Sequence, residues 1–227
     1  MSGPSGGGGR RRFRLVAGLA AYSIAVWLLW DTVFAWPVQM FVVLLHELSH
    51  GVVAIATGGT IREIGLSPDQ GGFCRCPGGS AFLTLSAGYL GSLAWGALFI
   101  EVGRRGGLVS RGLLGVLGAG ILVLGLTTVR APFALLLCLV TGAALEVAAF
   151  RLGAGGCKLL LTALGLTSCL YAVLDIKSDI LDRPGLASDA TALARMTGVP
   201  AAVWGILWIL VSLGVCGWLL RRSWSRA

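Results

Sequence analysis

Pro37-Val38-Gln39-Met40-Phe41-Val42-Val43-Leu44-Leu45-His46-Glu47-Leu48-Ser49-His50-Gly51-Val52-Val53-Ala54-Ile55-Ala56-Thr57 reads as one membrane-length helix with three titratable groups at its middle. A bilayer core needs roughly 20 mainly apolar residues per helix, and this run supplies them. His46 and His50 are the only histidines of the chain. At positions i and i+4 they share a helix face, so both imidazoles can converge on one zinc ion. Glu47 lies beside them, where it can serve as general base toward a water on that metal. Polar groups at this depth are costly and mark function by default. A chance histidine pair is the weaker explanation, because both histidines fall inside one five-residue motif.

The rest of the chain extends the same reading. Of 227 residues, 56% are hydrophobic and only 12% are charged. Soluble domains carry about a quarter of their residues as charges. Half that amount cannot cover a water-facing surface, which excludes a soluble globular enzyme, and the hydrophobicity excludes a disordered chain. The fold class expected is an all-α polytopic membrane protein. Apolar runs cover 15–30, 37–57 and about 81–101, 108–129, 131–150, 157–176 and 201–220. They give about six or seven transmembrane helices, the doubt lying in the short break Arg130-Ala131-Pro132. The 35 glycines suit close helix contact in lipid.

Between the second and third runs, residues 58–80 are polar. Thr60 to Leu66 and Gly71 to Cys76 flank Ser67-Pro68-Asp69-Gln70, which reads as a small β-hairpin directly after the zinc helix. A second polar stretch, 177–200, reads as a loop. Residues 1–14 form a flexible tail ending Arg10-Arg11-Arg12-Phe13-Arg14, 15–220 one transmembrane domain, and 221–227 a basic tail. The N-terminal arginines place that end in the cytoplasm, although seven spans would then put Arg221 and Arg222 outside, against the positive-inside rule. The net charge of +8 is read as topology. No nucleic-acid partner is expected, since no basic stripe interleaves with aromatics. Four of the six cysteines sit in apolar runs as small hydrophobes. Cys74 and Cys76 are spaced too closely for a zinc ribbon.

Zinc wants a third protein ligand. With both histidines used, the candidates are carboxylates or a thiolate. Glu63 and Asp69 fall in the hairpin, Asp182 and Asp189 in the polar loop, and Glu101 and Glu146 on apolar segments. Asp175, at the last apolar turn of its run, is best placed to face a buried metal. Asp179 follows by four residues, as a supporting partner or as the ligand itself if the helix shifts. Ser49 and Ser86 have no free histidine as base, so serine hydrolysis is not expected.

The segment Leu44-Leu45-His46-Glu47-Leu48-Ser49-His50-Gly51 resembles the zinc helix of the site-2 proteases, the intramembrane zinc metalloproteases. The Gly58-Gly59 opening of the hairpin, Ser86-Ala87-Gly88-Tyr89-Leu90-Gly91-Ser92 and Leu174-Asp175 are similar to further motifs of that family. Tyr89 and Ser92 depart from its Ala-Gly-Pro-x-x-Asn motif, no Asn-Pro precedes Asp175, and Ile176 replaces the following Gly. Together with Ser188-Asp189-Ala190 and Trp204-Gly205-x-x-Trp208, this looks more like the divergent M50B-like branch. The resemblance implies Zn2+ on His46, His50 and Asp175, Glu47 as general base, and peptide-bond hydrolysis in a membrane-embedded protein or peptide by zinc-activated water. It leaves the group that meets the substrate carbonyl unassigned. A non-catalytic zinc-binding scaffold of the same fold is the competing expectation, and an ion transporter a third. Arg-over-Lys, Gly-rich usage points to a bacterial plasma membrane.

Overall fold

The computed structural model describes residues 6–30, 32–177 and 188–225. Their elements run α1 (Gly6–Leu29), α2 (Trp36–Ala56), β1 (Glu63–Leu66), β2 (Gly72–Arg75), α3 (Ala81–Arg105), α4 (Gly107–Thr128), α5 (Pro132–Arg151), α6 (Ala154–Lys177), α7 (Asp189–Thr197) and α8 (Ala201–Trp224). The six helices α2 to α6 and α8 are long and apolar enough to cross a membrane, whereas the apolar part of α1, Val16–Leu29, is shorter. The all-α polytopic expectation holds, with the two strands as the only sheet among the described residues. Val116, Phe150, Leu159 and Ile206 turn outward on α4, α5, α6 and α8. Such an apolar exterior suits lipid and would be a liability in water.

Each boundary has a local cause. Pro37 opens α2 and Pro132 opens α5, each in the first turn where no backbone donor is lost. Ser80 caps α3 by accepting from the Leu83 amide. The doubtful break around Arg130 is a real one. There Val129 leaves α4 in extended conformation and bridges to Ile64 of β1 before α5 begins.

The bundle centres on α2, α3 and α6, which carry the main buried cluster: Met40, Leu44, Leu45, Phe99, Leu161 and their neighbours. α3 and α6 approach through Gly96 and Gly165. A Cβ on Gly96 would lie 2.8 Å from the Gly165 carbonyl oxygen, so backbone rather than side chains sets the helix separation. The hairpin folds back along α2. Ile61 packs on Gly51, and the Trp36 indole donates to the Pro68 carbonyl at 2.9 Å. β1 and β2 pair antiparallel, Glu63 opposite Arg75 and Leu66 opposite Gly72. A disulfide joins Cys74 and Cys76.

Both basic ends lie together. The Arg12 guanidinium stacks 5.1 Å from the Trp224 ring centroid, and Arg104 at the end of α3 donates to the Leu219 carbonyl at 3.0 Å. The arginine clusters at the two termini therefore do not sit on opposite faces of the bundle.

Candidate metal centre

The site grows from the middle of α2. His46 and His50 sit one turn apart with ring centroids 4.8 Å apart, as the helical spacing requires. Each ring is held at its Nδ1 side. His50 Nδ1 donates to the Thr84 carbonyl of α3 at 2.6 Å. His46 Nδ1 faces the Asp175 carboxylate of α6 at 3.8 Å. Tyr89 packs edge-on against His46 at 5.0 Å.

The two Nε2 atoms face one oxygen. Asp189 Oδ2 lies 3.1 Å from His46 Nε2 and 3.2 Å from His50 Nε2. Among the described residues, His46, His50 and Asp189 form the one cluster whose ligand atoms all fall within 4.8 Å of one another. Two neutral imidazole nitrogens and a carboxylate are a donor set that fits a divalent transition metal. Their surroundings fit as well: a Cβ on Gly88 would come 2.3 Å from His46 Nε2 and 2.7 Å from Asp189 Oδ2. Only a residue without a side chain leaves that room on α3.

Asp189 comes from the stretch 177–200, where a short helix had no place in the sequence reading. Ser188 and Thr191 cap α7 reciprocally, each hydroxyl accepting from the other residue's amide. This capping box fixes Asp189 as the first helical residue. Ala190 and Leu193, fully buried, then dock α7 on Tyr89, Ile176 and Trp208.

Glu47 is buried beside the histidines, at 5% exposure. β2 lies directly on it: a Cβ on Gly72 would sit 2.5 Å from Glu47 Oε1. A cavity of about 770 Å3 opens over this cluster, lined by His46, Glu47, His50, Asp175 and Asp189, by Gly71 to Cys74 of the hairpin, and by Thr84, Tyr89 and Tyr171. Of the residues expected from sequence, His46, Glu47 and His50 come together. Asp175 stands behind His46 rather than among the three converging atoms, and Asp179 lies outside the described residues.

Six long apolar helices define an integral membrane protein, and its His-Glu-x-x-His helix meets a carboxylate in a donor set that could hold a metal ion. Residues 19–219 match the family model described as Peptidase M50B-like, and the chain belongs to that family. Membership suggests an intramembrane metalloprotease working on membrane proteins in a lipid environment. No curated protein and no solved structure matches the chain.

Proposed function

We propose that the protein is an intramembrane zinc metalloprotease in which His46, His50 and Asp189 hold Zn2+ and Glu47 is the general base. The observation that carries this assignment is the meeting of Asp189 Oδ2 with both Nε2 atoms, next to a buried glutamate under an open strand edge. Zinc, when bound, supplies a Lewis acid that polarises a peptide carbonyl and brings the pKa of a water down to about 7.

The chain's own residues do the rest. The Thr84 carbonyl, by accepting from His50 Nδ1, keeps the proton off Nε2 and leaves that lone pair for metal. The Asp175 carboxylate stands 3.8 Å from His46 Nδ1, where its negative charge favours a proton on that nitrogen rather than on Nε2. Glu47 takes the proton from the attacking water and delivers it to the leaving amine nitrogen. The outer edge of β2 has no strand partner among the described residues, so it can take an extended peptide by strand addition. That pairing would draw an unwound substrate segment past Glu47, because Gly71 to Cys74 line the same cavity. The positive-inside rule then assigns the end bearing Arg12, Arg104 and Arg222 to the cytoplasm.

The direct test is metal content together with cleavage. Full-length protein purified in detergent should hold about one zinc per chain. It should cleave a reconstituted single-span test peptide, lose cleavage on treatment with a zinc chelator, and regain it with added Zn2+. One zinc without cleavage of any reconstituted peptide would favour the scaffold alternative. Zinc-free protein that still moves ions would favour the transporter.

The outer partner gives a graded prediction. Asp175→Asn should weaken zinc binding by roughly 10–100-fold, as loss of a carboxylate behind a metal-bound histidine does. Competition with a chelator of known affinity measures it. A variant that loses zinc altogether would make Asp175 a ligand instead.

A further inference from the structure

Among the described residues four cysteines are free: Cys138, Cys157, Cys169 and Cys216. A free cysteine inside an apolar helix normally packs as a small hydrophobe, and two of these do. Cys138 is fully buried on α5 against Gly125 of α4. Cys157 gives its thiol to the Ala148 and Leu152 carbonyls, at 3.7 and 3.6 Å. Cys169 and Cys216 are different, because each has the other as its partner. They stand on separate helices, α6 and α8, and their thiols share a hydrogen bond.

Packing holds this pair in place. Cys169 lies in a buried cluster with Leu93 and Ile100 of α3, Ala172 of α6 and Leu219 of α8, and Cys216 packs against that cluster. A glycine on α3 makes room for the inner sulfur: a Cβ on Gly96 would come 2.6 Å from Cys169 Sγ. The two thiols differ in access. Cys169 is 4% exposed, whereas Cys216 is half-buried. Near Cys216 on α8, Leu213, Trp218 and Leu220 turn outward, so the medium that reaches it is lipid. One reachable thiol with a second thiol beside it is the arrangement of a cysteine pair that oxidises in two steps.

We propose that Cys216 and Cys169 form a reversible disulfide that locks α8 to α6, with a lipid hydroperoxide as the oxidant. The Cys216 sulfur attacks the terminal peroxide oxygen and the O–O bond breaks. The lipid leaves as its alcohol, taking up the thiol proton, and Cys216 becomes a sulfenic acid. The Cys169 sulfur then attacks the Cys216 sulfur, the S–O bond breaks, and the hydroxyl leaves as water with the Cys169 proton. The thiol pair loses two electrons and the hydroperoxide gains them. The bond bears on the metal centre through α7, which carries Asp189 and rests on Ile176 of α6 and Trp208 of α8. Joining those two helices holds its platform fixed. None of this chemistry depends on the peptidase assignment.

The test treats full-length protein in detergent with cumene hydroperoxide, a lipid-soluble probe. Remaining thiols are then alkylated and the chain is cut with trypsin. Cleavage after Lys158, Lys177, Arg195 and Arg221 puts Cys169 in peptide 159–177 and Cys216 in peptide 196–221. The wild type should yield these two as one linked peptide, separated again by dithiothreitol, with Cys138 and Cys157 alkylated. Its Tm should rise by roughly 5 °C or more on oxidation, as a bond closing a long loop of chain does. Cys169→Ser should stop at the sulfenic acid, trapped by dimedone on Cys216. Cys216→Ser should leave Cys169 alkylated and free of dimedone. A wild type that keeps both thiols under peroxide, or links either one to Cys138 or Cys157 instead, overturns the proposal. So does dimedone labelling of Cys169 in Cys216→Ser, because the buried thiol would then be the one that meets the oxidant.

Discussion

Asp189→Asn should leave the purified protein almost free of zinc and without proteolytic activity, although it changes one atom. The two imidazoles sit on one rigid turn of α2, but two neutral nitrogens alone make a weak site for a divalent ion. Among the described residues, the third donor also supplies the one carboxylate that meets both Nε2 atoms, at 3.1 and 3.2 Å. Removing that charge should cost far more than the roughly 10–100-fold expected for a partner behind a ligand. Asparagine keeps the size of the side chain, and the Ser188–Thr191 capping box is untouched, so α7 should stay docked. The measurement is zinc per chain by elemental analysis for Asp175→Asn, Asp179→Asn and Asp189→Asn side by side. Zinc retained by Asp189→Asn but lost in Asp175→Asn would return the third ligand to the end of α6. Zinc lost only in Asp179→Asn would place it one turn further on.

The comparison of those carboxylates shows where sequence reasoning reaches and where it stops. His46, Glu47 and His50 were legible because their relation is local: helix geometry alone converts i, i+1 and i+4 into positions around one centre. The spans were legible because lipid imposes a length and a composition. The hairpin was legible from short apolar runs flanking Ser67-Pro68-Asp69-Gln70. Asp189 is a different case, meeting His46 across 143 residues of chain. Ranking the carboxylates by their depth in apolar runs favours Asp175, which does lie at the site but behind His46. What brings Asp189 in is tertiary: Ala190 and Leu193 bury themselves against Tyr89, Ile176 and Trp208. One local signal was present, since Ser188-x-x-Thr191 is a helix start. It sits in a polar stretch, however, and α7 at 9 residues is too short for hydrophobic periodicity to stand out. The room made by Gly88 was equally invisible, because a glycine in a membrane helix has many uses.

Glu47→Gln separates binding from turnover, and its expected result is an enzyme with full zinc and almost no activity. Glu47 follows His46 on α2, so its side chain leaves the helix on a neighbouring face and reaches the cavity rather than the converging nitrogens. Glutamine matches its shape, so the tight contact with Gly72 of β2 can persist and the strand edge should still accept peptide. What the amide lacks is a basic oxygen. Loss of a positioned general base costs typically 100- to 10,000-fold in rate, and here no other histidine exists to replace it. Asp175 also lines the cavity, but it faces Nδ1 of His46 rather than the side where Asp189 meets both rings. The experiment measures zinc per chain, affinity for a peptide phosphonamidate probe and cleavage of the reconstituted peptide in one preparation. Retained zinc and probe affinity with kcat reduced at least 100-fold fits Glu47 as the proton carrier. Cleavage at the wild-type rate would strip Glu47 of that role and require a base from outside α2. Loss of zinc along with activity would mean instead that the glutamate supports the ligand geometry, because the contact with β2 would then be what holds His46 and His50 in register.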